Sequence, residues 1–166
     1  MEDLLDVQSK HMDTVLAGTK DVQADDLVSR SICEISEAAG QIMTLFRNAR
    51  FSKKTLDEDK VKKLIMTITN WITTLFYCLE EDPPELEDIV DFANQLEIEI
   101  AADGILASLN IQRSLADFAF SYFCDSGFQG ITGAESMDES LAEMLASLEL
   151  VSRRVKTKLP DLIIGI

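Results

Sequence analysis

One histidine, His11, is all the imidazole this chain has, and that nearly excludes histidine-activated nucleophiles and histidine-rich metal sites. Cysteine is scarce as well. Cys33, Cys78 and Cys124 are odd in number, far apart and set in apolar surroundings, the pattern of reduced core thiols in a cytoplasmic protein. No apolar run is long enough for a membrane: the longest uncharged stretch, Leu64 to Cys78, falls short of the ~18 residues of a spanning helix and is interrupted by Thr67, Thr69, Asn70, Thr73 and Thr74. The acidic N-terminal stretch has no continuous apolar segment of the kind a secretory signal needs. Positive charge is the shortage with the widest consequence. Fifteen Lys and Arg face 30 Asp and Glu, a net charge of −15, so general nucleic-acid binding and membrane-surface binding are disfavoured. If the chain is an enzyme, acid-rich oxygen chemistry is what remains.

What is present is a globular composition, 166 residues with 46% apolar content, enough for one domain with a real core. The periodicity predicts an all-α bundle of five to six helices joined by short links. Residues 1–24 give a short amphipathic helix, with Leu4, Leu5, Met12 and Val15 as its stripe and Gly18 as its end, then a linker. Asp25 or Asp26 is placed to cap a second helix with the stripe Ile32, Ile35, Ala39, Ile42, Met43 and Phe46. Arg47 to Lys54 reads as a basic connection. Thr55-Leu56-Asp57-Glu58 reads as a capping box that opens a third helix near Leu56.

That third helix has apolar residues on one side and uncharged ones on the other, so it must be covered all round. A small bundle offers few partners for both sides, which predicts a homodimer. Asp82-Pro83-Pro84 ends it and starts a fourth helix with Leu86, Ile89, Val90, Ala93, Leu96 and Ile100 on one face. LEIEI alternates as a strand would, but no second strand candidate exists to pair with it, so it reads as helix. Asp103-Gly104 bends the chain there. Gln112 to Cys124 is an aromatic-rich helix. The glycines 127, 130 and 133 lack the spacing of a phosphate-binding loop. Ser136-Met137-Asp138-Glu139 is a second capping box, opening a helix through Leu150 whose basic end complements its dipole. Pro160 terminates it, and LIIGI is an apolar tail that docks on the core or on another subunit.

Glu34 and Glu37 are the chemically suggestive pair, because i, i+3 spacing puts both carboxylates on one helix face. Two such groups can share a Mg²⁺ ion whose remaining ligands are water and substrate phosphates, which would open nucleotide pyrophosphate cleavage without histidine or cysteine. An acidic chain also places such pairs by chance, as a solvated face.

The order of features around the pair carries a resemblance. ICEISEAAGQIM holds Glu34 and Glu37, FRNARFSKKTLDED is a basic loop and cap, TITNWITTLFYCLEE follows, and LEDIVDFANQL contains Ala93-Asn94. From Ser31 to Leu96 this resembles the MazG-like all-α nucleoside triphosphate pyrophosphohydrolases. In that family a helix with E-x-x-E precedes a basic loop, an E-x-x-D helix and a helix with Ala-Asn. Two positions depart from the pattern: Thr67-Ile68-Thr69-Asn70 stands where E-x-x-D would fall, and Glu97 where a lysine often follows the Asn. Glu85-Leu86-Glu87-Asp88 satisfies E-x-x-D literally, but directly after two prolines it fits an acidic first turn. The resemblance implies a MazG-like core over residues 25–104, with 105–166 as C-terminal helices packed on it. It also implies hydrolysis of an NTP or dNTP to the monophosphate and pyrophosphate with Mg²⁺ or Mn²⁺, in a homodimer or dimer of dimers. Glu34 and Glu37 would be catalytic and hold the metal with Asn70, while Lys53, Lys54 and Asn94 would contact the nucleotide. The competing expectation is a catalytically inactive protein of the same fold that binds a protein or a nucleotide.

Overall fold

The computed structural model describes residues 2–17, 23–100, 103–124 and 136–165. They form seven helices and no strand: α1 Leu4–Leu16, α2 Ala24–Phe51, α3 Glu58–Cys78, α4 Leu86–Ile100, α5 Gly104–Phe123, α6 Met137–Arg154 and α7 Leu159–Ile164. The all-α expectation holds, and LEIEI is helical within α4. The additional helix is α7, because Pro160 sits in a first turn, where its missing N–H costs nothing. It therefore begins a helix instead of ending one. The apolar tail docks inward through Leu159 and Ile163, against α3 and α6. Gly18 and the glycines 127, 130 and 133 lie outside the described residues.

Several boundaries move for local reasons. Asp57, not Thr55, caps α3, its carboxylate accepting the Lys60 amide at 3.1 Å. Asp25 and Asp26 lie inside the first turn of α2, where they suit the helix dipole but cap nothing. Asp25 instead accepts the Tyr122 hydroxyl at 2.8 Å, tying the start of α2 to the end of α5. Arg47 to Phe51, read as part of a loop, are the last turns of α2. The chain breaks at Asp103, whose side chain accepts the Ile105 and Leu106 amides and starts α5 well before Gln112. Gly104 is needed there: a Cβ would stand 2.6 Å from the Phe46 ring of α2. The Ser136 half of the second capping box is present, as the hydroxyl accepts the Glu139 amide at 3.4 Å.

The helix that organises the bundle is α6. Every residue from Met144 to Ser152 is buried, and α6 packs against α3, α4, α5 and α7. Buried residues from α1 through α7 join one apolar cluster. At roughly 1.5–3 kcal/mol for each fully buried large aliphatic side chain, this cluster is the main stabilising term. The uncharged circumference of α3 is covered on most sides, with Ile65, Ile68, Trp71, Ile72, Leu75 and Phe76 all buried, Leu64, Met66, Thr67 and Asn70 half-buried and Tyr77 exposed. Its cover comes from α1, α2, α6 and α7 of the same chain. The reason given for a dimer, that α3 lacks partners, therefore falls away. The thiols are corrected too. Cys78 is half-buried, but Cys33 and Cys124 are exposed and all three are free.

Candidate functional site

Glu34 and Glu37 lie midway along α2, off the face that buries Ile35, Ala38, Ala39 and Ile42. Glu34 is half-buried and Glu37 exposed, and Glu37 accepts the Gln41 amide at 3.5 Å. Together with Arg30 they form one stripe along the helix at i, i+4 and i+7. Arg30 does not face them with a free charge: its guanidinium lies 5.0 Å from the Trp71 ring centroid on α3. His11 packs against Trp71 in a T-shaped arrangement, ring centroids 4.6 Å apart. Burial, and then the nearby Arg30 charge, hold the His11 pKa below its usual 6.5.

The second motif contributes little oxygen chemistry. Thr67 donates its hydroxyl to the Lys63 carbonyl at 3.1 Å, and buried Thr69 donates to the Ile65 carbonyl at 2.9 Å. Both hydroxyls serve the helix backbone. Asn70 is half-buried, and its carbonyl accepts Thr73 and Thr74 at 2.7 and 3.1 Å.

Lys53 and Lys54 are exposed in the link between α2 and α3. Fourteen helical residues separate Glu37 from the end of α2 at Phe51, which at 1.5 Å per residue puts the lysines roughly 20 Å along the axis from the carboxylates. Asn94 is in a third place. It is exposed on α4, which packs against α6, and it accepts the Arg153 guanidinium at 2.8 Å. The six predicted residues thus do not gather into one site. No group of three His, Cys, Asp or Glu suited to a metal exists among the described residues. A Mg²⁺ ion at Glu34 and Glu37 would need substrate phosphates beside it, yet the cations expected to hold those phosphates are about 20 Å away along α2. This donor set does not fit a metal–triphosphate centre.

The strongest polar cluster is one the sequence reading missed. Glu149, fully buried on α6, accepts Arg153 Nε at 3.0 Å and the Leu159 amide at 2.6 Å. The same guanidinium reaches Glu97 at 2.9 Å and Asn94. It borders an open cleft of ≈ 520 Å³ with Asn94, Lys156 and Lys158. Glu149 and Arg153 stand at i, i+4 within the apolar run of α6, and that spacing was the available signal.

These residues belong to a basic end of the bundle. Residues 47–63 hold seven cations and three carboxylates, and 153–158 four cations and none, so eleven of the fifteen basic residues fall in two short segments. The fold brings the segments together. Lys156 is 3.6 Å from Glu58, and Arg50 and Arg154 line one cleft of ≈ 370 Å³ with Phe46 and Gly104. Glu97, Asp103, Glu149 and Asp161 offset part of the charge, but the end stays positive in a chain of −15. Two of its lysines hold unusual backbone, Lys53 at φ 53° and Lys156 at φ 58°. Both follow a helix C-cap, where glycine is the usual residue. Lys156 and Thr157 donate to the Arg153 and Ser152 carbonyls, the hydrogen-bond pattern of a Schellman ending.

No family model, no curated protein and no solved structure matches this chain. What the structure defines is an all-α bundle with a basic end, in which no helix is long and apolar enough to cross a membrane among the described residues.

Proposed function

We propose that this chain is a non-catalytic helical binding protein that takes a phosphate-bearing anion, of the nucleoside triphosphate class, at the basic end. One observation carries the reading: the fold joins two basic segments, about a hundred residues apart in sequence, around the α6 terminus of an otherwise acidic molecule. A field of this kind concentrates small anions at one end. A nucleic-acid strand would extend beyond it and meet the acidic remainder, so free nucleotide suits it better. The left-handed lysines support the reading, since Lys53 and Lys156 sit where glycine would be less strained and supply charge there. Glu80 has the same backbone at the end of α3 with the opposite charge, so the lysine pattern supports the reading without carrying it. A cytoplasmic location goes with three free thiols.

Titration calorimetry with ATP, GTP and inorganic triphosphate tests it. Binding is expected without divalent metal, to weaken as salt rises, and to weaken at least about tenfold in Lys53→Glu/Lys54→Glu. Absence of binding at low salt, or full affinity in the variant, overturns it. The hydrolase is the second reading, favoured by the Glu34 and Glu37 pair on one face of α2. It requires pyrophosphate release from an NTP or dNTP with Mg²⁺ or Mn²⁺, abolished by Glu37→Ala.

A further inference from the structure

The inner face of α5 is fully occupied. Ala107, Ile111, Ser114, Leu115 and Phe118 are buried against α2 and α6. On the outer face, Leu106 and Leu109 are each 46% exposed, Phe120 44% and Phe123 53%. With exposed Arg113 and half-exposed Ala116 they complete the series 106, 109, 113, 116, 120, 123. Steps of three and four residues, repeated along a 20-residue helix, are the spacing of a coiled-coil seam. The four large side chains expose on the order of 350 Å² of largely apolar surface, the size of the largest patch on a typical monomer, which is often a functional one. This helix lies outside the stretch that carries the family resemblance.

We infer that the outer face of α5 is the interface of an antiparallel, twofold-symmetric homodimer. The argument is self-complementarity. With the axis between Ser114 and Leu115, Leu106 faces the other copy's Phe123, Leu109 faces its Phe120, and Arg113 faces its Ala116. Each leucine meets a ring, and the long Arg113 side chain meets the smallest residue of the seam. Antiparallel helices pair the alternate seam positions in this way.

Charge agrees with the pairing. Arg113 is the only charged residue of the seam, and it has no ion pair among the described residues. The elements flanking the seam supply carboxylates. On α2, Ser36 bonds Gln112 of α5 and is followed by exposed Glu37; on α6, Glu143 accepts from Asn110 of α5 at 3.4 Å. A second copy brings its own flanking carboxylates to each Arg113, which offsets the repulsion between two acidic chains. Two helices in contact over about 30 Å, with their flanks, cover roughly 1,000 Å² in total, the lower bound for a specific dimer.

Sedimentation velocity on the full chain tests the interface and its register together. The wild-type chain is expected to be a dimer, and Leu109→Lys and Phe120→Glu each to be monomeric, with far-UV dichroism unchanged because both sites are exposed. An equimolar mixture of the two variants is expected to form a one-to-one dimer, because one copy's new lysine meets the other's new glutamate while the second Leu109–Phe120 contact stays intact. A wild-type monomer at about 0.5 mM overturns the proposal, as does a dimer that survives Leu109→Lys. A mixture that stays monomeric overturns the antiparallel register. None of these outcomes depends on nucleotide binding at the basic end.

Discussion

Replacing Arg153 by methionine should be among the most damaging single changes outside the apolar core. Its side chain is 25% exposed and its guanidinium neutralises Glu149, whose side chain is 0% exposed. Methionine keeps most of the stem's packing but removes the charge. Glu149 would keep the Leu159 amide and lose the one cation paired with it among the described residues. Breaking a buried pair from one side typically costs about 3–5 kcal/mol, because an uncompensated charge stays behind. In a chain of this size that is a fall of roughly 6–20 °C in melting temperature. The paired change Arg153→Met/Glu149→Leu should recover much of the loss, since apolar replacements of a buried pair are often neutral. Glu97→Gln should cost under ~1 kcal/mol, as that carboxylate is 39% exposed and solvent screens it. Urea unfolding of wild type, Arg153→Met, Glu149→Leu and the double variant closes the cycle. Two results would refute the reasoning: a cost below ~1 kcal/mol for Arg153→Met, or a double variant whose loss is the plain sum of the single losses.

Other outcomes follow from separate parts of the fold. Gly104→Ala should destabilise by about 1–3 kcal/mol, because the new Cβ meets the Phe46 ring, and Phe46→Leu in the same chain should relieve part of it. Lys156→Gly should stabilise by about 1 kcal/mol while weakening triphosphate binding, read by melting and by calorimetry. Burial, and then the Arg30 charge, lower the His11 pKa in the fold, so the unfolded chain binds its proton more tightly. The stability it leaves intact above pH 6.5 is then lost as pH falls toward the folded-state value. Wild type should therefore lose more stability than His11→Gln between neutral and mildly acidic pH, since the carboxylates are common to both. Alkylation should label Cys33 and Cys124 rapidly and Cys78 slowly, because burial pushes the Cys78 thiol up to about 11.

The residues of the core were legible without coordinates wherever helical period repeated cleanly. Ile35, Ala39 and Ile42 on α2 and Ile65, Ile68 and Ile72 on α3 are buried as their spacing requires. Helix ends were less legible. Asp57 competes with Thr55, and Gln23 opens α2 with no side-chain cap at all. The candidate site was the least legible part, since Glu34, Lys53 and Asn94 follow one another in a suggestive order yet lie in three places.

Composition and period alone therefore set an acidic chain whose described residues are helical, with no helix among them long and apolar enough to cross a membrane, because burial stripes and charge balance are properties of local sequence. Which helix lies at the centre was decided only on packing. The charged ends of α6 hide a middle section buried from Met144 to Ser152, and the choice of α6 over the more apolar α3 depends on how many neighbours can reach each helix. The same packing joined residues 47–63 to 153–158 and left Leu106, Leu109, Phe120 and Phe123 of α5 partly exposed. Contacts between residues a hundred positions apart follow from helix docking, and no local pattern in the chain encodes them.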